Sequence, residues 1–197
     1  MSLLNHTAAD LLDRFASADP TPGGGSAAAL AGALGAGLVS MVSAMPKTRT
    51  GAPEERERLD AALGWAREAG ARLRRLVDED TSAYDAVIAA FRLPKATDEE
   101  RASRKAAVAH AMERATEVPM RTAQACLVVL KAAQEAAAHG NGNALSDART
   151  GGAMAWAGLV GAAENVRINS GPEGPGLEQL EAMVHEGRER AANLNAL

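Results

Sequence analysis

The feature of this sequence that most constrains its fold is an uncharged stretch of 20 residues from Ser26 to Met45. A stretch of this length is long enough to span a bilayer, so either lipid or protein must cover it. It consists mostly of Ala, Gly and Ser, which contribute little transfer free energy, and no aromatic belt flanks it. Its larger apolar residues fall largely on one side of a helix. We therefore predict a buried helix in a soluble helical bundle, without a membrane partner.

Composition extends this prediction to the whole chain. Alanine occurs 46 times in 197 residues, and aromatic residues make up only 3%. Ala, Leu, Arg and Glu favour helices, whereas strands favour Val, Ile, Thr and aromatic residues, so an all-α fold is expected. A chain of this length buries an adequate core without disulfides or metals. We predict a single helical domain over residues 1–197.

Charge and cysteine content exclude several classes of protein. The net charge is −4 with a pI of about 5.6, and no basic stripe is present, so nucleic acid is not expected as a partner. Cys126 lies in an apolar run and is predicted to be a small buried hydrophobe. Asp10 and Asp13 stand where a signal peptide would be apolar, which favours a cytoplasmic protein. The four histidines lack metal-ligand spacing, so no metal site is predicted.

Capping signals and the 3.6-residue periodicity predict the helices. They span about 7–17, 24–44, 53–91, 97–117, 119–139, 146–168 and 176–193. The segment 53–91 is either one long helix or two helices joined near residues 78–81. Thr97 and Glu100 mark a strong helix start. Because proline removes a helical hydrogen bond, Pro119 is predicted to kink or restart the chain.

Two of these predicted helices, 24–44 and 146–168, contain several glycines each. A glycine costs about 1 kcal/mol relative to alanine in a helix interior, and it is tolerated where another backbone must come close. Both helices are therefore predicted to lie at the centre of the bundle or at a subunit interface.

The turn from Pro22 to Ser26 leads directly into the uncharged helix. Gly23, Gly24 and Gly25 leave backbone N–H groups unobstructed at a helix N-terminus, which suits a phosphate, a carboxylate or a carbonyl oxygen. The turn is not a P-loop, because the Gly-Lys-[Ser/Thr] ending is missing. The alternative is a tight turn in which Ser26 only caps the helix.

Three consecutive acidic residues, Asp78, Glu79 and Asp80, interrupt an otherwise apolar helical pattern. Asp80 and Tyr84 are four residues apart and share a helix face. On a buried face, such a carboxylate can act as a general acid or base. On a solvated face at a helix junction it has no such role, and the spacing alone leaves both interpretations open.

Further polar residues stand in loops or in apolar surroundings: Lys47, Arg49, Asn141, Asn143, Ser146, Asp147, Arg167 and Asn169. The two loop cations are either solvated or contact an acidic substrate tail. The turn that begins at Asn141 either caps the following helix or hydrogen-bonds a heterocycle. The two polar residues that end that helix either cap it or clamp an anion.

An ordered set of motifs covers nearly the whole chain. It begins with the segment from Pro20 to Gly32. It continues with Asp78-Glu79-Asp80 and Ala83-Tyr84, Leu93-Pro94-Lys95, the Pro119 helix start, Gly140-Asn141-Gly142-Asn143 with Ser146-Asp147, and Asn165-Val166-Arg167-Ile168-Asn169. This set resembles the formiminotetrahydrofolate cyclodeaminase family, which also includes methenyltetrahydrofolate cyclohydrolases. One segment departs from it: many members read Leu-Thr-x-Gly-Lys followed by Tyr, where this chain has Met45-Pro46-Lys47-Thr48-Arg49-Thr50-Gly51.

The resemblance implies an all-helical homodimer that binds tetrahydrofolate derivatives in a cleft near the subunit interface, with no metal and no cofactor beyond folate. By the family pattern, the carboxylate before x-x-Ala-Tyr is catalytic. This is Asp80, with Asp78 as the alternative and Tyr84 as the orienting group. The predicted substrate-binding residues are Pro22, Gly23, Gly24, Gly25, Ser26, Lys47, Arg49, Lys95, Asn141, Asn143, Ser146, Asp147, Arg167 and Asn169.

The reaction predicted from the resemblance is cyclodeamination, in which N10 of 5-formiminotetrahydrofolate attacks the formimino carbon and ammonia leaves. Hydrolysis of 5,10-methenyltetrahydrofolate at the same carbon is the alternative, because the residues do not separate the two reactions. A non-catalytic helical binding or scaffold protein is an alternative from a different class.

Overall fold

The computed structural model describes residues 2–171 and 174–196. Within these residues the chain forms six α-helices: α1 (Ala8–Ala16), α2 (Gly24–Ala44), α3 (Pro53–Phe91), α4 (Asp98–His139), α5 (Leu145–Ser170) and α6 (Leu177–Ala196). Short 3-10 turns at Leu3–Asn5 and Gly142–Ala144 precede α1 and α5. The predicted all-α fold is confirmed.

Helices α2 to α5 form an up-and-down bundle. α2 packs against α3 and α5, α4 packs against the same two helices, and α6 lies against α4 and α5. At one end of the α2–α3 pair, Ser26 bonds to the Val77 carbonyl. At the other end, the Arg56 guanidinium bonds to the Ser43 carbonyl. The two helices are therefore antiparallel, and each end of the bundle gathers residues that are distant in sequence.

The backbones of α2 and α5 touch directly. A Cβ placed on Gly35 would lie 2.5 Å from the Gly151 carbonyl oxygen, and one placed on Gly151 would lie 2.9 Å from the Gly35 carbonyl oxygen. Only glycine permits this approach, since a real Cβ is essentially never found so close to backbone. The close backbone approach that these glycines predict is confirmed.

The described residues cover one face of α2. Val39 and Val42 are fully buried, whereas Leu34 is 53% and Met41 43% exposed on the opposite side. Among the described residues, α2 is the helix that is long and apolar enough to cross a membrane, and 44% of the relevant window is buried inside the protein. A second, uncharged face of α2 is left open.

Helix α3 is continuous through the three acidic residues near its middle. Asp78 accepts a hydrogen bond from the Leu3 N–H at 2.7 Å, Glu79 pairs with Arg121 at 2.8 Å, and Asp80 accepts from the Ser26 hydroxyl at 3.0 Å. Because each carboxylate has its own partner, no break is needed at this point. Of the two predictions for 53–91, the single helix is correct.

Helix α4 also runs without interruption, so the predicted end near residue 117 and restart at Pro119 are wrong. Proline has no N–H and leaves the carbonyl four residues earlier, at Ala115, without its helical donor. The Asn169 side chain donates to that carbonyl at 2.7 Å. A hydrogen bond from α5 thus replaces the one that proline removes.

The hairpin formed by α3 and α4 extends beyond the N-terminus of α2. Ser26 lies level with Val77, so roughly four turns of α3, about 20 Å, continue past the end of α2. Several large apolar and aromatic side chains on this extension are exposed: Tyr84, Phe91 and Leu93.

Candidate active site

The glycine turn places the start of α2 against the middle of α3. Gly23 is the N-cap residue and forms no side-chain capping bond, so the first N–H groups of α2 are not covered by a cap. A Cβ on Gly25 would lie 2.0 Å from Asp80 Oδ1, so the carboxyl group rests directly on the Gly25 backbone. The glycine at this position is required by the acid that it faces.

Ser26 does not cap α2. Its side chain is fully buried and crosses to α3, where Oγ lies 2.9 Å from the Val77 carbonyl oxygen, 3.0 Å from Asp80 Oδ2 and 3.3 Å from Thr81 Oγ1. A hydroxyl has one proton and cannot donate to the carbonyl and the carboxylate at once. When Asp80 is protonated it supplies a donor of its own, which leaves the Ser26 proton for Val77. The Ser26 hydrogen bond is therefore linked to the protonation of Asp80.

The pKa of Asp80 is raised above its ordinary value of 3.8 because burial disfavours the ionised form. The hydroxyl and the backbone N–H of Ser26 favour the carboxylate and offset part of this effect. An acid with a raised pKa exchanges protons more readily near neutral pH. The predicted proton-transfer residue thus lies in a setting suited to that role.

Asn165 on α5 is the third contributor to this site, and sequence reasoning did not select it. A Cβ on Gly24 would lie 3.7 Å from Asn165 Nδ2, which donates to the Gly161 carbonyl at 2.9 Å. Asn165 follows Gly158 and Gly161 at helical spacing, on the face of α5 that touches α2. This periodicity is the signal by which it could have been found.

Asp78 and Tyr84 lie near Asp80 without contacting it through hydrogen bonds. The Asp78 carboxylate is used by the Leu3 backbone, which gives it a structural partner. Tyr84, one turn beyond Asp80, is 39% exposed, and no hydrogen bond joins the two within the described part of the chain. The predicted orienting role of Tyr84 stays a prediction.

Arg167 and Asn169 lie at the same end of the bundle but are engaged elsewhere. Arg167 bonds to Glu164 at 2.6 Å and to Glu181 at 2.8 Å, which raises its pKa above the ordinary value. The Asn169 amide N–H serves the carbonyl in α4. Their predicted substrate contacts remain untested.

The remaining predicted binding residues do not join this site in one chain. Lys47 and Arg49 lie in the loop that follows α2. Because α2 has 21 residues, this loop is about 30 Å from the N-terminus of the helix. Arg49 donates to the Ala137 carbonyl at 2.5 Å, and Thr48 forms an isolated bridge with Gly140. The structure therefore anchors this loop to the far end of α4.

This loop is organised around a buried carboxylate. Glu55 Oε2 accepts hydrogen bonds from the Thr48 hydroxyl at 2.7 Å and from the N–H groups of Thr50 and Gly51 at 2.9 and 3.1 Å. These donors, the Thr50 N–H foremost, lower the pKa of Glu55 to about 2. Lys47 is exposed beside this network, on a loop with a defined shape.

The asparagine turn lies at the same far end. Asn141 Oδ1 accepts from the Asn143 N–H at 3.0 Å, and a Cβ on Gly142 would lie 3.9 Å from an Arg49 guanidinium nitrogen. Ser146 and Asp147 come directly after this turn, in the first turn of α5. Lys95 lies away from it, in the exposed connection between α3 and α4. Over the described residues, no three or more His, Cys, Asp or Glu side chains are grouped as metal ligands would be.

The sequence is similar to those of known folate enzymes. The sequence profile described as Formiminotransferase-cyclodeaminase matches residues 7–172. The chain is 42% identical over 170 residues to a methenyltetrahydrofolate cyclohydrolase of Methylorubrum extorquens, covering 84% of this chain and 80% of that protein. It is 36% identical over 172 residues to a formimidoyltransferase-cyclodeaminase of Rattus norvegicus, covering 85% of this chain but 31% of that protein. It thus spans about a third of the rat relative.

Among solved structures, formiminotetrahydrofolate cyclodeaminase from Thermotoga maritima superposes with a TM-score of 0.80 over 98% of this chain and 97% of that one, at 22% identity. This likeness shows a shared fold. The profile match and the identities to both kinds of relative show descent. This chain is an enzyme that belongs to the formiminotransferase-cyclodeaminase family.

Proposed function

We propose that this enzyme hydrolyses 5,10-methenyltetrahydrofolate to 10-formyltetrahydrofolate, with Asp80 as the proton-transfer group. The observation that carries the proposal is a partly buried carboxyl group resting on the Gly25 backbone, with its pKa raised by desolvation. The reaction is supported by 42% identity to a protein named methenyltetrahydrofolate cyclohydrolase, across 80% of that protein.

The chemistry requires a group that takes up a proton and returns it. Water adds to the bridging carbon between N5 and N10, forming a C–O bond, and its proton passes to the Asp80 carboxylate. The C–N5 bond then breaks, N5 takes the proton from Asp80, and the hydroxyl proton leaves to solvent as the formyl group forms. The net change consumes one water and releases one proton. A carboxyl group with a raised pKa suits both steps.

The N-terminus of α2 supplies the binding surface in this proposal. The Ser26 N–H of its first turn is used by Asp80, while the preceding N–H groups and the positive end of the helix dipole favour the oxygen atoms of the substrate. Asn165 lies beside Gly24 and adds an amide that can hydrogen-bond a pterin ring. The chemistry uses acid–base groups of the protein, so we expect turnover to be unchanged by EDTA.

Cyclodeamination, the reaction predicted from the sequence, is the second candidate. It is supported by 36% identity to the rat formimidoyltransferase-cyclodeaminase, of which the aligned part is 31%. In this reaction N10 attacks the formimino carbon of 5-formiminotetrahydrofolate, and the formimino nitrogen receives the N10 proton and a second proton from solvent. The C–N bond then breaks to release ammonia and leave the methenyl cation. Asp80 would carry the proton between the two nitrogens.

One assay separates these possibilities. Purified enzyme is given 5,10-methenyltetrahydrofolate and 5-formiminotetrahydrofolate in parallel, and the absorbance of the methenyl form is followed. Its loss reports hydrolysis, and its appearance reports deamination. A protein that only binds or scaffolds would show neither change and no thermal shift with folate.

The Asp80→Asn variant tests the assigned residue. We expect turnover to fall by about 10²- to 10⁴-fold, the usual contribution of a general acid–base group, while folate binding persists. Asp85→Asn, an exposed carboxylate of the same helix, is the matched control and should retain wild-type turnover. Full activity of the Asp80→Asn variant would remove Asp80 from the mechanism.

A further inference from the structure

Thr81, the residue after Asp80 on α3, departs from the usual hydrogen bonding of a hydroxyl in a helix. A Ser or Thr inside a helix commonly donates to the carbonyl four residues earlier. Several hydroxyls of α2, α3 and α4 do so here: those of Ser40, Ser82, Thr116 and Thr122. The Thr81 hydroxyl instead lies against Ser26 of α2, with the two Oγ atoms 3.3 Å apart, and among the described residues Ser26 is its partner.

The carbonyl that the Thr81 hydroxyl leaves open is that of Val77. The Ser26 hydroxyl occupies this position instead, at 2.9 Å. A carbonyl oxygen has two lone pairs, so it accepts the Ser26 hydroxyl as well as its helical N–H donor. Ser26 therefore lies between two acceptors, the Val77 carbonyl and the Asp80 carboxylate, and one hydroxyl, that of Thr81.

This arrangement gives the two hydroxyls different roles. Because both acceptors compete for the single Ser26 proton, Ser26 has none left for Thr81, and Thr81 is the donor of the pair. A hydroxyl that accepts a hydrogen bond becomes a stronger donor itself. That gain is larger towards a carboxylate than towards a neutral carbonyl, since charge-assisted bonds are about twice as strong. A bond from Thr81 thus favours the orientation in which Ser26 donates to ionised Asp80.

We propose that Thr81 is a positioning residue for proton transfer, whose hydroxyl donates to Ser26 Oγ and directs the Ser26 proton to the ionised Asp80 carboxylate. When Asp80 takes up a proton, it donates to Ser26, and the Ser26 O–H rotates to the Val77 carbonyl that Thr81 leaves open. No proton leaves Ser26 in this change. The proposal rests on the proposed function, in which Asp80 accepts a proton from water and returns it to N5.

No charged neighbour accounts for the protonation of Asp80. Burial raises its pKa and the two hydrogen bonds from Ser26 lower it, and within the described chain no charged side chain contributes. Residues 24–44 of α2 are uncharged, and Asp19 in the preceding loop is exposed. The other charged groups at this end have partners: Asp78 with the Leu3 N–H, Glu79 with Arg121 of α4, and Glu164 with Arg167 of α5. Glu79 lies in a separate cavity with further α4 side chains: His110, Glu113, Arg114 and Glu117.

Titration of Asp80 tests the proposal without reference to activity. The protein is made with aspartate isotopically labelled at Cγ, and the Asp80 resonance is identified by its loss in Asp80→Asn. Thr81→Val keeps the branched shape and removes the hydroxyl. The Asp80 titration should then move up by about half a pH unit to one pH unit, the effect of one lost hydrogen bond on the ionised form.

Two matched variants separate the hydroxyl from the packing. Thr81→Ser keeps the hydroxyl, and Asp80 should titrate in it as in the wild type. Ser82→Ala removes a neighbouring exposed hydroxyl, which donates to the Asp78 carbonyl, and should also leave the titration unchanged. An unmoved titration in Thr81→Val, or an equal shift in Thr81→Ser, would overturn the proposal.

A double-mutant cycle tests whether Thr81 acts through Ser26. Ser26→Ala should raise the Asp80 titration by itself, because it removes the donor. Thr81→Val added to Ser26→Ala should then move the titration no further, since the link between the two residues is already lost. Equal shifts from Thr81→Val with and without Ser26 would mean that Thr81 acts on Asp80 directly, which contradicts the proposal.

The pH profile of kcat connects the titration with turnover. The proposed reaction starts from ionised Asp80, so the acid limb of the profile should move to higher pH in Thr81→Val by the same amount, and stay in place in Thr81→Ser and Ser82→Ala. A fixed limb beside a moved titration would remove Asp80, and Thr81 with it, from proton transfer. A wild-type enzyme inactive on both folates would overturn the proposed function. The titration would still decide whether Thr81 directs Ser26.

Discussion

Two carboxyl groups in this protein are moved in opposite directions by their surroundings. Asp80 is partly buried and accepts hydrogen bonds from Ser26 alone, so desolvation dominates and its pKa rises. Glu55 receives three hydrogen bonds from one loop, so the ionised form is favoured and its pKa falls to about 2. The first setting suits proton exchange and the second suits a permanent anion at the centre of a loop.

These shifts predict opposite effects on stability. A raised native pKa means that the folded state favours the protonated form of Asp80. The stability that this form contributes is lost as the pH rises from 3.8 through the native pKa, where the ionised form opposes folding. Asp80→Asn should therefore raise the Tm at pH 7.5, with the gain shrinking towards pH 4.

A lowered native pKa means that ionised Glu55 stabilises the folded protein above pH 4.5, and this stabilisation is lost as the pH falls towards about 2. Glu55→Gln should lower the Tm at pH 7.5. Thermal melts across this range check both; a destabilised Asp80→Asn protein at pH 7.5 would contradict the assignment.

Gly25 and Gly24 provide a second prediction at the level of single residues. Alanine at either keeps the backbone N–H, but at Gly25 its Cβ would lie 2.0 Å from Asp80 Oδ1, against 3.7 Å from the nearest neighbour at Gly24. Gly25→Ala must displace Asp80, and a shift of about 1 Å in a catalytic group lowers kcat about 10²-fold. Steady-state kinetics should show a much smaller loss for Gly24→Ala. Equal losses would mean that the glycines act only through the turn.

At the level of helices, local signals predicted the starts of elements and distant contacts decided their continuity. The Thr97–Glu100 capping box is present at the start of α4. The continuation of α4 through Pro119 depends on the Asn169 side chain, which lies 54 residues away from the carbonyl it satisfies. The periodicity of the sequence cannot predict that contact. The same holds for α3, whose acidic residues are accommodated by partners in three other parts of the chain.

The candidate site divides in the same way. Asp80 and the glycine turn were identified because ordered motifs resemble a family, and the structure brings them into contact. Asn165 was missed, although it belongs to one of those motifs, because a single amide in an apolar helix gives no chemical signal of its own. Lys47 and Arg49 were assigned to the same site because of their charge. Their positions in the sequence do not show which end of the bundle they occupy.

Close packing of α2 on α5 predicts which glycines tolerate a side chain. Gly151→Ala would drive a Cβ to 2.9 Å from the Gly35 carbonyl oxygen, so we expect a loss of about 1–3 kcal/mol in the free energy of unfolding. Gly64 in α3 has no atom within 4 Å of the same position, so Gly64→Ala should gain about 0.5–1 kcal/mol through helix propensity. Denaturant unfolding followed by circular dichroism measures both. A neutral Gly151→Ala would show that the two helices can separate without cost.

Two surfaces of the molecule leave large apolar side chains exposed. One is the uncharged face of α2, on which Leu34 and Met41 are largely exposed. The other is the α3–α4 extension, about 20 Å long, which carries exposed aromatic side chains beyond the end of α2. The extension begins next to Asp80, at the level of Val77. A second copy packed on α2 would cover its uncharged face.

The family resemblance implies a homodimer, and a charge placed on the uncharged face of α2 should separate its subunits. In Leu34→Lys the ammonium would be buried between the two subunits, where an unpaired charge is strongly disfavoured. Sedimentation is expected to give a mass of 20.3 kDa for this variant and twice that for the wild type. Val128→Lys, at an apolar site on α4 that is 40% exposed, should stay dimeric. Because the family resemblance implies a folate cleft near the subunit interface, turnover should fall in Leu34→Lys and remain in Val128→Lys. A monomeric Leu34→Lys protein with full turnover would confine the folate site to one chain.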